Sequence, residues 1–142
     1  MNRHEFLQLF GLGATALAAS ACLGGCGRKA GDPVPGAGGV DFAVDLAAAS
    51  SAPLHDPAVG YLYNATRDVI VAKTAAGTYV ALQAPCPHQG TGVYFLQSQD
   101  HFICPNHYAY FDTGGAVLSG PAPRGLKAYR VAQNGSSLRI TG

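Results

Sequence analysis

Charge is scarce in this sequence. Only 12% of its 142 residues are Asp, Glu, Lys or Arg, about half the usual fraction. Nine basic residues face eight acidic ones, the net charge is +1, and no basic run exists. A dedicated nucleic-acid binder would show a basic stripe, so no nucleic-acid partner is expected. With 48% hydrophobic residues the chain is neither an acidic disordered segment nor a coiled coil. Cysteine is sparse as well: Cys22, Cys26, Cys86 and Cys104 form two separated pairs, which is not the pattern of a disulfide framework. Beyond residue 40 there is no internal repeat and no sustained helical period, save one turn near Leu46–Ser50. Glycine and proline are abundant instead. The 19 glycines and 9 prolines make up about a fifth of the chain, against a usual share of about an eighth. The length allows one domain, and the composition suits a small, loop-rich β domain.

Residues 1–26 form a separate object. Arg3 and His4 head the chain, and no charged residue lies between Phe6 and Gly27. A basic head before an apolar run such as Leu7–Ala21 is how an export signal reads. Leu23-Gly24-Gly25-Cys26 resembles the end of a bacterial lipoprotein signal, which makes Cys26 the candidate for lipidation. Ala19-Ser20-Ala21-Cys22 is a weaker second site of that kind. The alternative is an uncleaved membrane helix, since about 20 uncharged residues can span a bilayer. Gly11, Gly13, Gly24 and Gly25 weaken that helix. Both attach the chain to a membrane; a purely soluble exported product is the third reading, and all three put the domain on the extracytoplasmic, periplasmic side. Arg3-His4-Glu5-Phe6-Leu7-Gln8 is also similar to the twin-arginine export motif, with His4 and Gln8 as departures. Residues 27–39 follow as a Gly/Pro-rich tether, with a root-mean-square reach of roughly 20 Å if flexible.

The remainder, 40–142, reads as short strands. Val40, Phe42, Val44 and Leu46 alternate with polar or small residues, the period of a half-buried strand. Gly60–Asn64 is a short aromatic strand. Asp68–Lys73 and Thr78–Leu82 flank a hairpin turn at Thr74–Gly77, and Val93–Leu96 and His101–Ile103 flank another at Gln97–Asp100. Tyr129–Ala132 and Leu138–Thr141 flank an Asn134-Gly135 turn, the strongest hairpin signal in the chain.

Two loops carry the chemistry. Cys86-Pro87-His88 and Cys104-Pro105-Asn106-His107 each offer one thiolate and one imidazole, and the hairpin between them sets them side by side. Two Cys and two His also satisfy a structural zinc ion, although this spacing is unlike common zinc fingers. A bare catalytic Cys–His pair would leave two soft ligands unexplained. His55 and His101 read as surface residues of a turn and a strand.

The arrangement resembles the Rieske 2Fe–2S proteins. The resemblance runs through Cys86-Pro87-His88-Gln89-Gly90, Cys104-Pro105-Asn106-His107, Phe111-Asp112 and Gly120-Pro121-Ala122-Pro123, the last being similar to the proline loop that covers the cluster in quinol-oxidising complexes. It implies an all-β fold, an antiparallel β sandwich or barrel whose cluster-binding subdomain, about 84–123, is formed by two loops. It implies one 2Fe–2S cluster per chain, ligated by Cys86, His88, Cys104 and His107. Gln89, Gly90, Gly120, Pro121, Ala122 and Pro123 would shield it. In such a centre two Cys hold one iron and two His the other. Two ferric ions, two sulfides and two thiolates sum to zero, so the oxidised site is neutral and the reduced site carries one negative charge. An all-Cys cluster is more negative in both states, and replacing two thiolates by imidazoles raises the potential.

The implied function is one-electron transfer by a membrane-tethered carrier rather than by a stand-alone enzyme. The partner would be a redox protein or a membrane oxidoreductase. The alternatives are an electron-transfer subunit of a larger quinol-oxidising or molybdenum enzyme and, further off, a zinc-stabilised binding module. The sequence departs from the quinol-oxidising type in a coherent way. Thr91 and Asn106 stand where that type carries the two Cys of a disulfide across the cluster. Ala109 and Phe111 replace a Ser and a Tyr that donate hydrogen bonds to it, and Tyr108 replaces a Gly. Lost donors lower the potential, because they favour the more negative reduced state. Tyr108 and Tyr110 either supply hydroxyls in compensation or pack as strand aromatics.

Overall fold

A computed structural model describes residues 33–142; the expected signal at 1–26, with Cys22 and Cys26, and the first half of the expected tether lie outside the described residues. Ten strands occur among the described residues. They are β1 (Asp41–Asp45), β2 (Tyr61–Tyr63), β3 (Val69–Lys73), β4 (Tyr79–Gln83), β5 (Tyr94–Leu96), β6 (His101–Cys104), β7 (Ala109–Phe111), β8 (Val117–Ser119), β9 (Ala128–Asn134) and β10 (Ser137–Thr141). Between β1 and β2 a 3-10 turn at Ala49–Ser51 runs into α1 (Ala52–His55). The helical turn therefore lies a few residues later than Leu46–Ser50. Pro53, in the first turn of α1, starts a helix at no hydrogen-bond cost, and the buried Ser51 hydroxyl donates to the Asp45 carbonyl.

All strand pairs are antiparallel. One sheet has the order β1-β10-β9-β4-β3-β2, and a second has the order β5-β6-β7-β8. Strand β3 shows why the chain needs two cores. Its first four residues are all buried, and side chains alternate across a strand. Ile70 and Ala72 thus face one core with Leu82, Ala84, Cys86, Val93, Phe95, Phe102, Cys104, Ala109, Phe111 and Leu126. Val69 and Val71 face the other with Val44, Leu54, Ala81, Tyr129, Leu138 and Ile140. The β3–β4 wall separates a cluster-side core, closed by β5–β8, from a far core, closed by β1, β9, β10 and α1. The fold is the all-β antiparallel architecture expected from the sequence.

The hairpins match expectation with one shift. Asn134 pairs with Ser137, so the loop residues are Gly135 and Ser136. Gly135 has φ +58°, suiting a glycine at the first central position of a two-residue hairpin. Strands β7 and β8 have no counterpart in the sequence reading. Each is three residues long, too short to display a period. The Asp112 carboxylate joins them by accepting hydrogen bonds from the Gly114 and Ala116 N–H groups at 2.9 and 2.8 Å.

Residues 33–37, within the described part of the expected tether, are bound to the domain. Val34 N–H donates to the Pro87 carbonyl at 2.9 Å. The Ala37 carbonyl accepts from Lys127 Nζ at 2.9 Å and from the Tyr129 hydroxyl at 3.0 Å. Composition alone conceals this, because the bonds are made by the backbone of the segment.

Candidate metal centre

Both candidate loops grow from strand ends. Strand β4 leads into Ala84-Pro85-Cys86, and a bridge between Pro85 and Gly92 closes the first loop at its base. Inside it Cys86 N–H donates to the Thr91 carbonyl at 2.8 Å and Gly90 N–H to the Cys86 carbonyl at 2.7 Å. Gly90 sits at φ +78°, a conformation that costs glycine little. Cys104 ends β6 and pairs with Ala109 at the start of β7, so residues 105–108 form the second loop. Tyr108 N–H donates to the Cys104 carbonyl at 3.0 Å.

This geometry sorts the four side chains by depth. Cys86 and Cys104 are free thiols, buried in the cluster-side core. His88 is half-buried and His107 exposed. The imidazole centroids are 4.8 Å apart, with the rings at 71°. Burial pushes the Cys86 thiol up to about 11; the His88 and Gln89 N–H groups facing its sulfur oppose that rise, and the Cys104 thiol beside it adds to it. A bare thiol here holds its proton at neutral pH. A metal ligand must give that proton up, and a ferric ion supplies the positive charge that makes it leave.

The residues fit a binuclear cluster. The buried thiols of Cys86 and Cys104 and the outward imidazoles of His88 and His107 form two pairs, and such a cluster would take one pair for each iron.

The other expected site residues lie around this tip. Gln89 and Gly90 are exposed on the first loop. Asn106 Nδ2 donates to Gln89 Oε1 at 2.9 Å, so an amide–amide bond links the two loops. The Gly120–Pro123 segment crosses the second loop. A Cβ on Gly120, at φ +97°, would stand 2.6 Å from Ala109 Cα and 2.9 Å from the Tyr108 carbonyl oxygen, so no side chain fits there. Ala122 packs against the cluster-side core, while Pro121 and Pro123 are exposed.

Tyr108 is not a strand aromatic. It is 66% exposed, with φ +55°, and stands beside His107 at the tip. Tyr110 does lie in a strand, opposite Ile103 of β6. His101 begins β6, and the His55 ring bonds the Leu46 carbonyl at 3.0 Å; neither joins the site.

Two residues escaped the sequence reading altogether. Gln83 is fully buried and uses its whole amide. Its Nε2 donates to the Val34 and Pro85 carbonyls at 2.9 and 2.7 Å, and its Oε1 accepts from Arg124 and from Lys127 N–H at 3.2 and 3.3 Å. Arg124 also donates to the Val34 carbonyl and, at 2.9 Å, to the Gly125 carbonyl. A polar residue breaking the apolar run Val80-Ala81-Leu82 was the available signal.

Comparison with known proteins bears on this site directly. The chain is 33% identical over 72 residues to the cytochrome b6-f complex iron-sulfur subunit of Chlorobaculum tepidum, covering 51% of this chain and 40% of that protein. It is 29% identical over 80 residues to the subunit of the same description from Chlorobaculum thiosulfatiphilum, covering 56% of this chain and 44% of that protein. The match thus spans less than half the length of these relatives. The plasma membrane Rieske protein of Synechocystis PCC 6803 superimposes with a TM-score of 0.54 at 28% identity, over 66% of this chain and 95% of that one. The family model for the Rieske [2Fe-2S] domain matches residues 44–130, which include both loops. With that match over more than half its length, the chain belongs to the Rieske [2Fe-2S] domain family and is an electron-transfer protein with a 2Fe–2S cluster.

Proposed function

We propose that the protein is an extracytoplasmic one-electron carrier, held at the membrane by its N-terminus, whose cluster is ligated by Cys86, Cys104, His88 and His107. The observation that carries this reading is the depth order of the four side chains, with thiols in the core and imidazoles at the surface. The bound cluster supplies a site that accepts and releases one electron. The chain's own residues do the rest. The cluster-side core keeps water from the sulfurs, and the Gly120–Pro123 segment braces the second loop. The exposed His107 marks the face where a redox partner can approach the iron held by the imidazoles.

Membrane attachment rests on the sequence at 1–26 and on Cys26 as lipid acceptor. No helix among the described residues is long and apolar enough to cross a membrane. Several acyl chains, at about 0.8 kcal/mol per buried CH₂, suffice for stable attachment. Cys26→Ser should release the protein from membranes. Retention of that variant with residues 1–25 still present would favour an uncleaved helix instead.

A second reading, a subunit of a larger membrane oxidoreductase, is favoured by the relatives named as subunits of a cytochrome complex. Against it stand Thr91, Asn106, Ala109 and Phe111, which depart from the quinol-oxidising pattern. Paramagnetic resonance during a redox titration of the purified protein tests ligation. His107→Cys should shift the reduced signal, and an unchanged signal in both His88→Ala and His107→Ala would refute the ligand set.

A further inference from the structure

We infer that residues 33–37 form a strap that belongs to the redox site: Val34, locked in place by Gln83 and Arg124, sets the orientation of the Pro87–His88 peptide plane. The inference rests on the proposed ligand set.

The strap is built to be stiff. Val34 lies between Pro33 and Pro35, whose φ angles are fixed near −65°. Neither proline has an N–H, so Val34 presents the one backbone donor of the three residues. That donor goes to the Pro87 carbonyl, between Cys86 and His88, at 2.9 Å. The Val34 carbonyl, on the other side, accepts from Gln83 Nε2 at 2.9 Å and from Arg124. Gly36 lies so close that a Cβ there would stand 2.7 Å from Lys127 Cβ and 3.1 Å from Gln83 Oε1. The strap therefore cannot slide without breaking bonds at several points.

The consequence follows from peptide geometry. A peptide unit is planar, and in its trans form the C=O and the N–H point in opposite directions. No peptide bond among the described residues is cis. Fixing the Pro87 oxygen therefore fixes the direction of the His88 N–H, which faces the Cys86 sulfur. The amide of Gln83 holds the Pro85 carbonyl in the same way, at 2.7 Å. The Pro85–Cys86 and Pro87–His88 peptide units are thus both pinned, the first by the residue that locks the strap and the second by the strap itself. A donor aimed at a cluster sulfur favours the reduced, more negative state. Val34, Gln83 and Arg124 are accordingly positioning residues for the potential.

Val34→Pro removes the N–H bonded to Pro87 and changes none of the four proposed ligands; it also removes the valine side chain, which stands beside Gly90. In the full-length cluster-loaded protein it should lower the potential, shifting the ratio of reduced to oxidised protein at least threefold. That shift is about 28 mV at 59 mV per tenfold. It should also move the g-values of the reduced cluster. Val34→Ala keeps the N–H and should stay at the wild-type values. Gln83→Leu should exceed Val34→Pro in both readouts. Should these variants fail to load, amide exchange in the wild-type holoprotein decides: Val34 N–H must be protected. Rapid exchange at Val34, or a Val34→Pro variant with lowered thermal stability but wild-type potential and g-values, overturns the inference. Absence of the cluster from the wild-type protein would instead overturn the ligand set.

Discussion

The two cores on either side of the β3–β4 wall are built on different rules. The far core is an ordinary sheet interior. Val69, Val71, Leu138 and Ile140 alternate along their strands, and Leu54 of α1 caps them. Its lining is apolar apart from the Tyr129 hydroxyl, which donates to the Ala37 carbonyl. The cluster-side core has aromatic walls, Phe95, Phe102 and Phe111, but its edge toward the tip is made of Ala84, Cys86, Cys104 and Ala109. Two members of that core are thiols, and burial holds the bare Cys86 thiol in its neutral state. One side of the wall can thus fold without a cofactor, and the other is finished by one. The division of labour predicts which changes stay local and which cross the wall.

The largest effect should come from removing a proposed ligand. Cys104→Ser should abolish visible absorbance and the reduced-state resonance. Metal ligation is folding energy as well as chemistry, so the variant should also lose amide protection in β5–β7 and the loops. Strands β9 and β10 should keep theirs. Equal loss of protection in both sheets would show that the wall does not insulate the far core.

Next in size are cavity mutations. Phe111 and Leu138 are both fully buried, one on each side. Phe111→Ala should cost about 3–5 kcal/mol and Leu138→Ala about 2–5 kcal/mol, read by urea unfolding. The sharper contrast is redox. Only Phe111→Ala should change the potential, because only that cavity adjoins the thiols. A Leu138→Ala protein with a displaced potential would break the distinction between the cores.

The far core was the more legible half in the sequence. Its strands carry a period of two, and the Asn134-Gly135 signal missed the hairpin loop by a single residue. The cluster side was legible through chemistry instead. Cys86, His88, Cys104 and His107 stood out by type and spacing, and the Gly120–Pro123 segment by resemblance, whereas β7 and β8 were too short to show a pattern. What stayed hidden was held by backbone groups or by two ordinary polar residues, Gln83 and Arg124. Gln83 carries no reactive group, and the strap at 33–37 looks like linker because its bonds use the N–H and C=O that every linker possesses. Such contacts leave no mark on composition.

A smaller effect tests the donors lost at the tip. The resemblance places Phe111 where quinol-oxidising relatives have a tyrosine hydroxyl directed at the cluster. Phe111→Tyr keeps the ring and restores the donor. A hydrogen bond of about 1.5–3 kcal/mol to a charged acceptor should raise the potential by about 60–130 mV, taking 59 mV as about 1.4 kcal/mol for one electron. A voltammogram of both proteins at one pH reads the difference. A fall in potential would mean that the hydroxyl finds another acceptor in the cluster-side core. The wild-type value should lie in the lower half of the Rieske range of about −150 to +300 mV.

The smallest effect lies at the edge of the six-stranded sheet, at the outer margin of the far core. Asp41 of β1 and Arg139 of β10 form an exposed two-point ion pair, with N–O distances of 3.0 and 2.7 Å. The hydrogen bond from Arg139 holds the Asp41 carboxyl below its ordinary value. The folded state therefore binds the proton less readily than the unfolded chain does. Any stability from the pair is present above the unfolded value, which is about 3.9 for an aspartate. It is lost as pH falls through the lower folded value. Both partners are open to water, and such pairs contribute little and are screened by salt. Asp41→Asn should thus lower the unfolding midpoint slightly at neutral pH and low salt. The difference should vanish at high salt or in strong acid. The potential should not move at all, because the β3–β4 wall stands between this edge and the thiols. An Asp41→Asn protein with an altered potential would show that charge on the outer sheet is felt at the cluster, and that the two cores are coupled electrostatically even where their packing is separate.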